Sequence, residues 1–386
     1  MSNKLSPYGN LIAAIATVVS CDIAFGLTYQ LLPLILDAQG VPAWLIGVNA
    51  AMGPLGLLIA GPFLPVWIHE FGAKPLVFAA IITIILVLLG FALHLPFIFW
   101  FPLRFCLGIS IGMLFTVSEV WIINASNDNN RGLVMGLYTS ALSISFAVGP
   151  LIVPYTGIDG WLPWGIGMGC VSLAALPLMT VNVSRDSTEK PHGFLEAFRR
   201  APILYAAIAT AAIFDNIIIS FFTIYGMGRG LSLGDASAML GLAIISGSLL
   251  FFPLGILGDK FGRSRVVVFC VGFTILNAAL LNVLITTPFA LVHSIILITA
   301  AFGIYVLSLA IVGDVFKGPD VVAGSAGVAA MWGLGGLVGP PAAGIAIDAF
   351  GFNALPLTIM VLYGLLFAAL MLNRGKLVRQ TEIDKS

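Results

Sequence analysis

Charged side chains are scarce in this chain: 9% of its 386 residues are Asp, Glu, Lys or Arg, whereas 60% are hydrophobic. The mean hydropathy of +1.08 exceeds what a soluble core with a polar surface can accommodate. The formal net charge is zero and there is no polybasic run, which argues against nucleic acid as a ligand. The composition therefore predicts an integral membrane protein.

Cysteine is also rare, and its four residues have neither the paired spacing of a disulfide framework nor that of a metal site. All of them lie in apolar segments, where we interpret them as helix-packing residues: Cys21, Cys106, Cys170 and Cys270. The sequence also lacks a phosphate-binding glycine loop, a nucleophile elbow and a cluster of His, Cys and Asp residues. We therefore expect no enzymatic activity, no cofactor and no bound metal.

Long apolar runs fill most of the remaining sequence. A helix that crosses a bilayer needs about 20 apolar residues, and the sequence then predicts an all-α membrane fold with twelve spans. Their approximate bounds are 10–35, 43–67, 74–94, 97–122, 131–155, 161–181, 202–226, 233–256, 265–286, 289–313, 321–347 and 353–373. A single long polar interval divides them into two sets of six. The expected organisation is an N-terminal six-helix bundle (1–181), a cytoplasmic linker (182–201) and a C-terminal six-helix bundle with a short cytoplasmic tail (202–386).

The basic residues predict the orientation of these spans, because Lys and Arg concentrate in short cytoplasmic loops. If the N-terminus lies inside, all of the 17 basic residues except Arg104 and Arg229 lie in inner loops or tails. We therefore expect a multi-pass protein of the plasma membrane with both termini in the cytoplasm.

The two halves of the sequence also resemble each other. When the chain is shifted against itself by roughly 190 residues, similar positions coincide. The pairs are residues 136–150 with 327–340, Asp22 with Asp215, and Gly112 with Gly303. Both paired segments begin with glycine and end with Gly-Pro. The pattern predicts two parallel repeats of six helices, which form two pseudo-symmetric bundles.

A charged stretch between spans 8 and 9, GILGDKFGRSR (residues 255–265), resembles a motif of a known family. It is similar to the loop signature G-x-L-x-D-[KR]-x-G-[RK]-x-[RK] of the major facilitator superfamily. In span 4, Arg104, Gly108 and Gly112 resemble the Arg-x-x-x-Gly-x-x-x-Gly element of the same superfamily.

Span 5 contains a further resemblance. Gly136 and the pair Gly149 and Pro150 are similar to the Gly-Pro antiporter element, with Ser145 in place of its internal glycine. In the second half, Gly339 and Pro340 stand at the corresponding end. Residues 119–132 look like the E-x-W…R-G segment of the YcaD-like group of bacterial permeases. The resemblance covers the whole chain and implies the major facilitator fold in a bacterial inner membrane.

The resemblance also implies a conformational latch, formed by Gly255, Asp259, Gly262, Arg263 and Asp314. In the superfamily, the loop Asp meets a helix N-terminus in the other half and the loop Arg meets an acid at the end of the related span. A carboxylate is favourable at a helix N-terminus, and such contacts form in one state and break in the other. Composition alone allows a simpler interpretation, in which the stretch is a solvated cytoplasmic turn.

The first half departs from this pattern. Its loop, PVWIHEFGAKP, has His69 where Asp is expected and Ala73 where Arg is expected, and Asn124 stands at the position of Asp314. We expect one complete latch, together with a weaker contact that His69 makes pH-sensitive. The alternative is that His69 is an ordinary interfacial histidine.

Ionisable residues inside the spans are costly, about 2.5–3.5 kcal/mol each near the bilayer centre on insertion scales. The sequence contains four candidates: Asp22, Arg104, Glu119 and Asp215. We expect Arg104 to form an ion pair with Asp22, in either a structural or a functional role. Glu119 and Asp215 have no evident basic partner, which suits proton exchange or attraction of a cationic solute. Tyr138 and Trp332 are the aromatic residues that we expect in the substrate cavity.

These features together favour a secondary active transporter that works by alternating access. The expected partners are a small-molecule substrate, protons and the lipid bilayer, with the chain acting as a monomer. Proton-coupled efflux of an amphiphilic or cationic compound is the preferred hypothesis, because three acids and one Arg inside the spans leave a net negative charge. The alternative is a proton-coupled uptake symporter for a small metabolite, in which Arg104 binds a substrate carboxylate. A receptor or scaffold is disfavoured because the chain has no soluble domain.

Overall fold

A computed structural model describes residues 7–125, 131–180, 198–316, 320–373 and 377. Within these residues there is no strand, residues 198–200 are helical, and thirteen further α-helices are formed. They are α1 (Pro7–Ala38), α2 (Ala43–Ala60), α3 (Leu64–Phe71), α4 (Ala73–Ala92), α5 (Trp100–Ala125), α6 (Arg131–Thr156), α7 (Leu162–Thr180), α8 (Pro202–Gly228), α9 (Leu233–Phe261), α10 (Arg263–Leu284), α11 (Ala290–Val315), α12 (Asp320–Phe350) and α13 (Ala354–Leu372).

The helices confirm the predicted all-α membrane fold. Among the described residues, 11 helical segments are long and apolar enough to cross a bilayer. The sixth predicted span corresponds to α7, whose apolar stretch Leu162–Pro177 is shorter. The second span is interrupted, because a 3-10 turn at Gly61–Phe63 joins α2 to the short helix α3. Most of the predicted linker, from residue 182 to residue 197, lies outside the described residues.

The chain divides into two compact units. The N-terminal unit comprises Met1–Ile35 and Met52–Glu189, and the C-terminal unit comprises Leu36–Ala51 and Lys190–Ser386. The helix α2 is therefore shared, since its first half is grouped with the C-terminal unit and its second half with the N-terminal unit.

Glycines determine how the helices of the N-terminal unit cross. A Cβ atom on Gly108 of α5 would collide with the backbone of Gly53 in α2, and one on Gly149 of α6 would collide with the backbone of Gly26 and Leu27 in α1. Small residues that allow backbones to touch are typical of packing between membrane helices. The glycines of two family-like elements therefore join α5 to α2 and α6 to α1.

The C-terminal unit repeats these crossings. Gly335 and Gly339 of α12 press against Ala212 and Ile213 of α8. The pair predicted from the repeat behaves alike in both units: Gly112 of α5 faces Leu57 of α2, and Gly303 of α11 faces Leu254 of α9.

Helix α8 is the most enclosed helix of the C-terminal unit. It packs against α9, α11, α12 and α13. Every residue from Ser220 to Gly226 is buried, so no face of this stretch points outward. A helix that is apolar on all sides is expected to be buried in this way. Asp215, midway along α8, precedes this enclosed stretch and is partly exposed.

A left-handed glycine ends the helix before each charged inner loop. Gly72 lies between α3 and α4 with φ of 83°, and Gly262 lies between α9 and α10 with φ of 93°. Residues with a Cβ rarely adopt this conformation. The two loops therefore share one turn geometry, although the first loop has His69 and Ala73 in place of the charged Asp259 and Arg263 of the second.

Candidate functional site

Asp22 lies on α1 and is almost fully buried, with 3% of its surface exposed. The hydroxyl of Ser145, on α6, donates to Asp22 Oδ2 at 3.0 Å and also lies 2.9 Å from the carbonyl oxygen of Leu142. Ser145 approaches because Gly149, one turn further along α6, brings this helix against α1. The side-chain partner of Asp22 is thus a neutral hydroxyl group, and the backbone of Phe146 also forms a hydrogen bond to the carboxyl.

Arg104 does not form the expected ion pair with Asp22 among the described residues. Its guanidinium carbon instead lies 5.2 Å from the centre of the Tyr29 ring, and only 1% of the residue is exposed. Tyr29 follows Asp22 by two helical turns, which corresponds to about 10 Å along α1. Arg104 is near the start of α5 and therefore lies at the same membrane depth as Tyr29. Asp22 lies deeper, towards the centre of the bilayer.

Asp215 occupies the corresponding place in the C-terminal unit. Its carboxyl has no hydrogen-bond partner within the described part of the chain, and it is only partly exposed. The neighbouring Phe214 packs edge-on against Tyr363 of α13 at 5.8 Å, and the Tyr363 hydroxyl donates to the carbonyl of Ala301. An acid at this depth in an apolar helix requires a function or a transient partner.

The structure places the two aromatic candidates differently. Tyr138 of α6 is 1% exposed, and its hydroxyl lies 2.9 Å from the Ser118 hydroxyl of α5. Trp121, one turn beyond Ser118, has a buried indole N–H with no partner among the described residues. Glu119 lies on the same helix, but its side chain is outside the described residues. Gly136 is part of α6.

Trp332 belongs to an aromatic cluster of the C-terminal unit. Its ring centre lies 5.9 Å from that of Phe302 and 5.2 Å from that of Tyr305, both on α11. All three side chains are partly exposed. Aromatic faces of this kind can hold an apolar or cationic group.

The structure brings three latch residues together at one end of the C-terminal unit. The Nε and Nη2 atoms of Arg263 donate to Asp259 Oδ1 at 3.0 and 2.8 Å, and its Nη1 atom donates to Asp314 Oδ2 at 2.5 Å. The Nη1 atom also donates to the carbonyl of Ala310. Arg263 therefore connects α9, α10 and α11.

The glycines of the latch have separate roles. Gly262 provides the turn, whereas Gly255 has no atom of a neighbouring element close to its missing Cβ. Gly258 lies against Leu307 and Arg263 instead. His69, the counterpart of Asp259, is exposed on α3, and the side chain of Asn124 lies outside the described residues.

The sequence did not predict Tyr29 as a site residue, and Ser145 stood out only as a departure from a motif. A signal for Tyr29 existed, because positions seven apart share one helix face. No group of three or more His, Cys, Asp or Glu side chains suited to a metal occurs in the described part of the chain.

Comparisons with known proteins identify the family. The sequence matches the family profile described as Major Facilitator Superfamily over residues 14–308 and 247–385. It is 28% identical over 365 residues to the uncharacterized MFS-type transporter YfkF of Bacillus subtilis (strain 168), covering 91% of this chain and 92% of that protein. It is 23% identical over 363 residues to the uncharacterized MFS-type transporter YcaD of Salmonella enteritidis PT4 (strain P125109), covering 92% and 93%.

Solved structures agree on the fold. The nucleoside transporter NupG (D323A mutant) matches with a TM-score of 0.78 and 16% identity, covering 94% of this chain and 99% of that one. A bacterial homologue of the human lysosomal transporter Spinster, described as inward-facing and occupied, matches with a TM-score of 0.77 and 14% identity, covering 97% and 98%. The resemblance inferred from the motifs is thereby confirmed, and with it the expectation of a transporter rather than an enzyme. The chain belongs to the major facilitator superfamily and is a multi-pass secondary transporter.

Proposed function

We propose that this transporter expels an amphiphilic or cationic organic compound across the bacterial inner membrane in exchange for protons. It acts as a monomer with both termini in the cytoplasm. Asp22 and Asp215 carry the coupling protons or bind the cation, one in each unit, and Glu119 attracts cations toward the cytoplasmic entrance.

The observation that carries this proposal is the contact of Asp22 with Ser145. A serine hydroxyl can donate one hydrogen bond and accept others. When Asp22 is ionised, Ser145 donates to the carboxylate; when Asp22 is protonated, the carboxyl donates to Ser145, whose own proton turns to the Leu142 carbonyl at 2.9 Å. Asp22 thus keeps a hydrogen bond in both protonation states without any movement of a helix, as repeated proton transfer requires.

The aromatic cluster supports the choice of substrate class. Phe302, Tyr305 and Trp332 are partly exposed and lie in the same unit as Asp215. Aromatic rings attract a desolvated cation, and a carboxylate neutralises its charge. Protonation of the acid removes that attraction, so proton binding and cation release are linked.

Everted membrane vesicles test both direction and coupling. The lumen is made acidic, the membrane potential is clamped with potassium and valinomycin, and the lipophilic cation tetraphenylphosphonium serves as the probe. We expect the probe to accumulate in the lumen several-fold above the level in vesicles with Asp22→Asn. Equal accumulation in both kinds of vesicle, or loss of the probe from the lumen, would contradict proton-driven efflux.

A second candidate function, proton-coupled uptake of a carboxylate-bearing metabolite, is favoured by the location of Arg104. This guanidinium is buried on α5 and places a positive charge against the ring of Tyr29. A small carboxylate as the probe would then leave the acidic lumen of everted vesicles, and Arg104→Lys would abolish its binding, since lysine lacks the planar bidentate geometry.

A further inference from the structure

The ring of Tyr29, on α1, lies between side chains of two other helices. The guanidinium carbon of Arg104, on α5, lies over the ring at 5.2 Å from its centre. The ring of Phe146, on α6, meets Tyr29 edge-on, with the two ring centres 6.2 Å apart. All three residues belong to the N-terminal unit. An aromatic face attracts a guanidinium, and it does so most strongly where water is excluded.

Helix α2 leaves room for the hydroxyl group of the same tyrosine. A Cβ atom on Gly53 would come within 2.9 Å of the Tyr29 hydroxyl oxygen, and the next nearest atom, also of Tyr29, is 3.7 Å away. Gly108, one turn beyond Arg104 on α5, touches the backbone of Gly53 and so brings α2 and α5 together at this level. The ring of Tyr29 is therefore enclosed by α2, α5 and α6.

Arg104 is close enough to the end of its helix to reach water. It lies four residues beyond Trp100, the first residue of α5, which corresponds to about 6 Å along the helix. Long basic side chains near the end of a membrane helix extend their charged group to the surface. Only 1% of Arg104 is exposed, however. The burial of this charge therefore needs stabilising contacts, and the Tyr29 ring supplies one.

We propose that Tyr29 is a positioning residue, which holds the guanidinium of Arg104 inside the bilayer instead of at the outer surface. The position of the charge depends on neither the substrate nor the coupling ion, so this part of the inference goes beyond the proposed function. The consequence for transport rests on the proposed function: a buried positive charge weakens the binding of a cationic substrate and so favours its release.

Chemical modification of Arg104 tests its position. Purified protein in nanodiscs is treated with the arginine reagent p-hydroxyphenylglyoxal, and adducts are quantified by peptide mass spectrometry, with the partly exposed Arg229 as the internal reference. We expect Tyr29→Leu to raise the rate at Arg104 about tenfold or more, the factor that corresponds to loss of a desolvated cation–π contact. Tyr29→Phe keeps the aromatic face and should keep the parent rate.

Two further positions separate this contact from a general loosening of the helices. Phe25→Leu is the matched control, because Phe25 lies one turn before Tyr29 and its ring meets that of Phe115 on α5 at 6.2 Å. It should leave the rate unchanged. Gly53→Ala displaces the Tyr29 ring and should raise the rate at Arg104. The added change Tyr29→Phe removes the obstructing oxygen and should restore the parent rate. Should Tyr29→Leu fail to fold, Gly53→Ala provides the same test.

The consequence for transport is measured in everted vesicles with tetraphenylphosphonium. Tyr29→Leu should lower the KM for this cation up to about tenfold, because a charge about 10 Å from Asp22 is removed. Tyr29→Phe should keep the parent KM. An unchanged KM with Tyr29→Leu would refute the role in transport. Parent vesicles that do not accumulate the probe would refute the proposed function instead, and the labelling would still decide the position of Arg104. An unchanged labelling rate with Tyr29→Leu, or an equal rise with Phe25→Leu, would overturn the proposal.

Discussion

At the scale of single residues, the proposed proton exchange at Asp22 depends on one hydroxyl group. Ser145→Ala removes the side-chain donor to ionised Asp22 and leaves only the backbone of Phe146, and a hydrogen bond to a charged group contributes about 1.5–3 kcal/mol. We expect gradient-driven accumulation in everted vesicles to fall about tenfold or more. Downhill exchange of the same probe should persist, because the substrate contacts are unchanged.

Ser110→Ala is the matched control for this change. Ser110 is also buried in the N-terminal unit, but its hydroxyl donates to the carbonyl of Cys106 in its own helix. Its loss should leave coupling intact. If both variants lose accumulation equally, the effect comes from general repacking rather than from Asp22.

The sequence predicted which charged residues lie inside the membrane but not how they pair. Asp22 and Arg104 were recognised from their cost in an apolar span, and both are almost fully buried. Their pairing depended on relative depth, which sequence gives only through helix bounds. Because bounds are uncertain by several residues, an error of two turns remained, and Tyr29 rather than Asp22 lies against Arg104.

At the scale of helices, the crossing of α6 on α1 tolerates no added atom. Gly149→Ala would place a methyl group into the backbone of Gly26 and Leu27. Backbone atoms cannot avoid the added methyl group by a change of rotamer, as a side chain could. We therefore expect the free energy of unfolding to fall by about 1–3 kcal/mol or more. Thermal unfolding in detergent would measure it as a lower melting temperature.

Gly169→Ala provides the comparison. Gly169 lies on α7 with no atom of a neighbouring element near its missing Cβ. Alanine is also the better helix former. This variant should therefore be as stable as the parent chain or slightly more so, and a similar loss at both positions would argue against the crossing as the cause.

The three charged residues of the latch predict an effect on rate rather than on stability. The side chains of Arg263, Asp259 and Asp314 are 29%, 65% and 64% exposed, and exposed ion pairs contribute about 1 kcal/mol at most. Arg263→Ala should keep the yield of folded protein but slow transport up to about fivefold. Transport rates per molecule of folded protein would measure this.

His69→Ala is the natural counterpart in the first loop. His69 is exposed, and its loop has lost the corresponding Arg. We expect a smaller decrease in transport rate than with Arg263→Ala. A larger decrease with His69→Ala would refute the asymmetry between the two loops.

Hydropathy and the length of the apolar runs predicted the all-helical membrane fold, because a bilayer fixes the length of an apolar helix. The interruption of the second span could not be predicted, since Gly61, Pro62 and Phe63 are apolar and continue the hydropathy signal. The division of α2 between two units could not be predicted either, because it depends on contacts between residues about 300 positions apart.

At the scale of the whole molecule, two exposed histidines report on orientation. His69 and His94 lie near opposite ends of α4, and both side chains are exposed. In a cysteine-free background, we expect His94→Cys to react with a membrane-impermeant maleimide in intact cells. His69→Cys should react only after the cells are permeabilised, and the reverse result would invert the proposed topology.

The crossing of α1 with α6 also has a consequence for the synthesis of the chain. The surface of α1 that carries Gly26 and Asp22 meets its partners, Gly149 and Ser145, only after four further membrane spans have left the ribosome. A nascent chain that ends after α5 exposes a buried carboxyl and a glycine groove to lipid or to quality-control proteases. In the second half, α8 can pack in the same way only after α12 has been made. Each unit can therefore complete its packing only after its fifth membrane span has been made. A chain that stalls earlier keeps the glycine surface of its first span exposed, and we expect quality-control proteases to recognise that surface.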